Sequence, residues 1–176
     1  MWFIIAGLTS FLLQSLMHST VHKYVNENVD IAILTVDEDL SNRLLARMTI
    51  GGVLLSGDAY FLGFPYGKFM EDTAYLNNNY PTPYIRKGIF STLPFTKDGV
   101  EMFYIDGMNN PGFSGGPCVF IAAEDRATFI PSVCGIVKGY FPHEREVNTP
   151  FGPYSFEENS GLVEIHSIRH LNEIEI

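Results

Sequence analysis

Along most of the chain, apolar residues fall in short runs or alternate with polar ones, and Gly, Pro, Asn and Asp punctuate them. That pattern predicts strands rather than helices. Residues 29–36 (VDIAILTV) form an apolar, β-branched run that reads as a buried strand. The acidic triplet Asp37-Glu38-Asp39 behind it reads as a solvated turn, and residues 42–56 as a linker with weak strand character. Six strand-like segments follow, at residues 58–64, 84–93, 100–106, 117–122, 131–140 and 161–166. Asn77-Asn78-Asn79-Tyr80-Pro81 and Lys97-Asp98-Gly99 are turn signals between them. Near the end, Ile168, Leu171 and Ile174 are spaced by three behind Ser167, a possible N-cap, which predicts a short C-terminal helix. No internal repeat interrupts this order. Short strands at fairly regular spacing, joined by Gly- and Pro-rich turns, predict an all-β barrel or sandwich.

Composition narrows the partners. With 46% hydrophobic residues among 176, the chain can build a core. Its net charge is −9 and its eleven basic residues are scattered. Nucleic acid and anionic membrane surfaces both reward clustered Lys and Arg, so neither is expected as a main partner. The two cysteines, Cys118 and Cys134, form no CxxC pair and no Cys/His metal spacing. No metal site and no cofactor is therefore expected. They fall on consecutive strand segments, where directly paired positions seldom bring Cβ atoms to the ~3.8 Å a disulfide needs. Two free, buried thiols are expected. The compartment stays open. So does the role of the first seventeen residues (MWFIIAGLTSFLLQSLM): a degenerate signal or anchor, an element packed on the domain, or leftover sequence at a truncated start.

The stretch richest in chemistry is Asn109-Asn110-Pro111-Gly112-Phe113-Ser114-Gly115-Gly116-Pro117. Acyl transfer needs an activated hydroxyl beside backbone N–H donors aimed at the developing oxyanion. Glycine before the serine lets the Gly112 and Ser114 amides point to one spot, and the glycines after it leave room for substrate. The same letters fit the G-x-S-x-G elbow of parallel-sheet hydrolases, but that elbow requires a helix directly after the serine. Here Gly-Gly-Pro leads into Cys118-Val119-Phe120-Ile121, a strand-type run.

These residues resemble the trypsin/chymotrypsin-like serine peptidases, especially divergent bacterial-type members. Further pieces match in order: Asp30-Ile31-Ala32-Ile33-Leu34, Gly57-Asp58 followed by Gly63-Phe64-Pro65, Lys87-Gly88-Ile89-Phe90-Ser91, and Gly135-Ile136-Val137. The likeness runs from about residue 25 to the end. It implies a trypsin-like antiparallel β-barrel fold. Residues 1–56 would be a partial first barrel behind the apolar N-terminal segment, and residues 57–176 a complete six-stranded second barrel with the C-terminal helix packed outside. It also implies an endopeptidase acting on polypeptides through an acyl-enzyme. Ser114 would attack the scissile carbonyl, Asp30 would orient a histidine base, and the Gly112 and Ser114 amides would form the oxyanion hole. The substrate pocket would involve Met108, Gly135, Ile136, Val137, Lys138 and Gly139, with Met108 as an apolar floor favouring a medium-sized apolar residue before the cleaved bond.

The likeness departs from the family in two places. Phe113 stands where digestive members carry an Asp that pairs with a new N-terminal ammonium, so this loop should be held by burial instead. The family's histidine precedes the Asp in an Ala-Ala-His-like segment, with further strands between. Here only His18 and His22 precede Asp30, too close for such strands to intervene, since a strand rises about 3.3 Å per residue. His143, within the long loop expected over residues 141–160, His166 and His170 all follow Ser114. By strand and turn lengths the first barrel is about fifty residues short. Two functions therefore stand: a serine endopeptidase, truncated and with little or no activity as this chain, or a non-catalytic relative that acts by binding or is a decayed fragment with no action.

Overall fold

The computed structural model describes residues 2–5, 19–23, 28–36, 46–70 and 81–173, with side chains for 28–32 and for every described residue from 46 on. The Asp37-Glu38-Asp39 triplet, His18, residues 42–45 and Asn77 to Tyr80 lie outside them. Two antiparallel groups of strands make up the described chain. The smaller has β1 (Trp2–Ile5), β2 (Ser19–Lys23) and β3 (Ala32–Val36) in the order β1-β3-β2. Part of the N-terminal apolar segment is thus a strand edge on the segment expected to carry Asp30.

The larger sheet contains the six expected segments. They are β5 (Asp58–Gly63), β6 (Tyr84–Phe90), β8 (Val100–Asp106), β9 (Pro117–Phe120), β10 (Ser132–Thr149) and β11 (Gly152–Ser167). Each pairs antiparallel with the next in the order β11-β10-β9-β5-β6-β8, and β8 pairs back onto β11, so the pairings form a closed circuit. Alternation along the strands decides what lies inside. On β5, Ala59 and Phe61 are buried, and on β8 Phe103 and Ile105 are buried, because successive side chains point to opposite faces. Phe90, Cys118, Phe120, Val137, Val163 and Ile165 belong to the same core.

A second apolar cluster sits on the outer face. Val100, Met102 and Ile136 project there and are covered by Val29 and Ile31 from the lead-in to β3 and by Ile168. Ile168 opens the C-terminal element, a 3-10 helix over Ile168–Glu173 that matches the expected short helix in position. Residues 46–56, assigned by sequence to the first unit, pack on the second. Val53 enters the main core, and β4 (Arg47–Met48) pairs parallel with β10.

Two features differ from expectation. Phe95–Lys97 is a short additional strand, β7, turned onto β8 through Asp98 and Gly99, with φ of 51° and 78°. Two positive values are what a two-residue type I′ hairpin requires. The loop expected over residues 141–160 is instead the continuation of the β10–β11 ladder, paired out to Thr149↔Gly152 across a Pro150-Phe151 tip. Its residues are mostly exposed on both faces, so no core-facing alternation marks it in the sequence. Arg145 pairs with Glu158 at 3.3 Å and the Tyr154 and Phe156 rings stack on one face, while Glu144 stands opposite Glu157 on the other.

Cys118 and Cys134 are fully buried free thiols on neighbouring strands, with their sulfurs 3.5 Å apart. A register shift between Val133 and Gly135 places Cys134 beside Cys118, and its thiol donates to the Cys118 carbonyl at 3.3 Å. Burial holds the Cys118 thiol well above the ordinary range. Neither thiol should react with an aromatic disulfide reagent in the folded protein, and both should titrate in denaturant. Rapid native modification of either would contradict this packing.

Candidate active site

The Ser114 loop is two successive turns that share Phe113. In the first, Phe113 N–H donates to Asn110 O at 3.3 Å, with Pro111 second and Gly112 third at φ 102°. In the second, Gly116 N–H donates to Phe113 O at 2.9 Å, with Ser114 second and Gly115 third at φ 86°. A third residue with φ near +80° is the type II pattern, and proline presets the second position. A turn's own hydrogen bond leaves the amides of its central residues free. Gly115 N–H is taken up by Val137 O at 2.8 Å. The Gly112 and Ser114 amides donate to no acceptor among the described residues. The Ser114 side chain is exposed and makes no hydrogen bond to any described side chain. Proline and glycine at these positions thus leave two donors beside one hydroxyl.

The loop is clamped from beneath. Val137 N–H donates to Gly116 O at 2.9 Å, and Phe64 N–H donates to Gly112 O at 2.8 Å. A Cβ on Gly116 would lie 1.8 Å from Leu62 O, and one on Gly112 would lie 2.1 Å from Phe64 O. Phe113 is fully buried and packs edge-on against Phe61 with ring centroids 5.2 Å apart. The Arg86 guanidinium lies 5.5 Å from the same ring and donates to Met108 O at 2.8 Å. Phe113 is therefore held by burial, worth roughly 1.5–3 kcal/mol.

Asp30 is placed by its neighbours, because Val29 and Ile31 are buried on either side of it. Its carboxylate meets Lys138 Nζ at 3.3 Å, an ion pair with both partners more than a third exposed and so worth under about 1 kcal/mol. Lys138 directly follows Val137, the residue that grips the serine loop, so Asp30 comes to the same stretch of β10 as Ser114. Sequence reasoning placed Lys138 in the pocket wall and missed this pairing.

Among the other expected pocket residues, Gly135 is buried and Gly139 partly so. The Ile136 and Val137 side chains enter the outer cluster and the main core, which leaves only their backbone for a cleft. Met108 is half exposed rather than a buried floor. The three described histidine side chains are elsewhere. His166 meets Glu164 at 3.3 Å, and that hydrogen bond holds the Glu164 carboxyl below its ordinary range. His170 Nε2 accepts from Glu101 N–H at 2.9 Å, and His143 is on the exposed arm. The His22 backbone is in β2, paired with Ile33, and its side chain lies outside the description. Among the described residues no cluster of three or more His, Cys, Asp or Glu could hold a metal, and no helix is long and apolar enough to cross a membrane. No protein-family model matches this chain, and no curated protein matches its sequence.

The loop and its nucleophile separate by stability. Phe113→Ala should cost about 3–5 kcal/mol in urea unfolding, whereas Ser114→Ala should stay within about 0.5 kcal/mol of the parent. Equal costs would mean that Ser114 has a structural role.

Proposed function

We propose that this chain carries the acyl-accepting half of a trypsin-like serine endopeptidase, with Ser114 as nucleophile. The observation that carries the reading is the pair of unengaged amides, Gly112 and Ser114, flanking an exposed hydroxyl on a loop clamped by Val137 and Phe64. Such a pair can receive an oxyanion as a carbonyl becomes tetrahedral. Support also comes from the closed circuit of six antiparallel strands, which we read as the second barrel of that fold, with the small sheet as a partial first barrel. In this reading Asp30, paired with Lys138 on the strand that grips the loop, would be the carboxylate that serves an imidazole, and polypeptides would be the substrate class.

The rate is governed by the base. Ser114 Oγ has no described imidazole beside it, and Asp30 is occupied by Lys138. An unassisted hydroxyl is a weak nucleophile at neutral pH. Acylation should therefore be slow. The Asp30–Lys138 pair also favours a second reading, a non-catalytic relative that binds polypeptides without cleaving them.

A fluorophosphonate probe distinguishes the two. Slow labelling that is lost in Ser114→Ala and in heat-unfolded protein is expected. No labelling above the unfolded control would favour the binding relative. Fast labelling lost in His18→Ala, His22→Ala or His143→Ala would identify a base and overturn the slow-acylation account.

A further inference from the structure

At the opposite end of β5, β6 and β9 from Ser114 lies a cavity of about 450 Å³, within the usual size range for small-molecule sites. Its lining is part polar and part apolar, the apolar part coming from Leu54, Tyr60 and Phe129 with the edges of the buried Phe90 and Phe120. Two charged residues also line it. Asp58 is engaged by Lys87 at 2.9 Å. Arg126 makes no ion pair or hydrogen bond with any described residue, and its acidic neighbour Asp125 is engaged by Arg47 at 2.9 Å.

Phe129 combines a strained backbone with an exposed ring. Its N–H closes a helical turn by donating to Asp125 O at 2.8 Å, and its φ is 53°. Glycine normally fills such a left-handed position because a side chain there is strained. Phe129 also gains little from packing, since it is 75% exposed. Tyr66 shares this combination, with φ 54° and 67% exposure, but of the two only Phe129 lines the cavity.

We propose that this cavity binds a small amphipathic carboxylate, of the medium-chain fatty-acid type. The aromatic and leucine walls would take the alkyl body. The Arg126 guanidinium would take the carboxylate, since its planar fork matches two carboxylate oxygens. Phe129 would close over the chain and recover on binding what its backbone conformation costs. This site is separate from the Ser114 loop and does not depend on the acyl-transfer reading.

Decanoate titrated calorimetrically into the full chain tests this, with decanol as the uncharged control. Saturable decanoate binding is expected, unchanged in Ser114→Ala and weakened about tenfold or more in Arg126→Gln. Phe129→Gly should weaken binding and at the same time raise the unfolding temperature of the ligand-free protein, a combination that a purely structural role would not give. The proposal is overturned if decanoate does not bind saturably, if decanol binds equally well, or if either variant binds like the parent. A lower unfolding temperature in Phe129→Gly would remove the strain on which it rests.

Discussion

Two hydrogen bonds between the Val137 backbone and the glycines after Ser114 tie the loop to the strand whose side chain at that position is in the centre of the core. The constraint they impose is close backbone approach. Leu62, Phe64 and Val137 all meet the loop through main-chain atoms, and Gly112 and Gly116 leave no room for a Cβ. With the loop held this way, the turn geometry follows from its own residues. Pro111 and Gly112 set one type II turn, and Gly115 sets the next. The two unengaged amides are a by-product of that geometry.

Asp30 reaches this neighbourhood by another route. Its flanking residues, Val29 and Ile31, are buried against the outer face of the large sheet, so apolar packing holds the carboxylate at β10. Lys138 then meets it across the surface. Under the proposed reading, the loop and the carboxylate would be two parts that a peptidase needs together. Main-chain donors at Ser114 are built in, while the polar partner of Asp30 is the Lys138 side chain rather than an imidazole.

Much of this was legible in the residues. The core strands announce themselves by alternation at Ala59/Phe61 and Phe103/Ile105, and the serine loop by Pro and Gly at positions only certain turns accept. The free thiols followed from the poor geometry of directly paired strand cysteines, although the register shift that brings their sulfurs to 3.5 Å could not be foreseen. What was missed lacks a local signal. The distal β10–β11 arm has no buried face, so residues 141–160 read as a loop. β4 and β7 are too short for a period to register. The Asp30–Lys138 pair joins residues far apart in the chain, and no pattern around either one names the other. Met108 read as a pocket floor because it is apolar, but it is half exposed.

The central claim is that the Ser114 loop holds two amides ready for an oxyanion. The most direct measurement is a crystal structure of the chain after reaction with a peptide boronate. The account predicts a tetrahedral boron on Ser114 Oγ with one boronate oxygen about 2.7–3.1 Å from both the Gly112 and the Ser114 nitrogens. A boronate oxygen that turns away from both amides, or a loop that must refold to accept it, would contradict the claim.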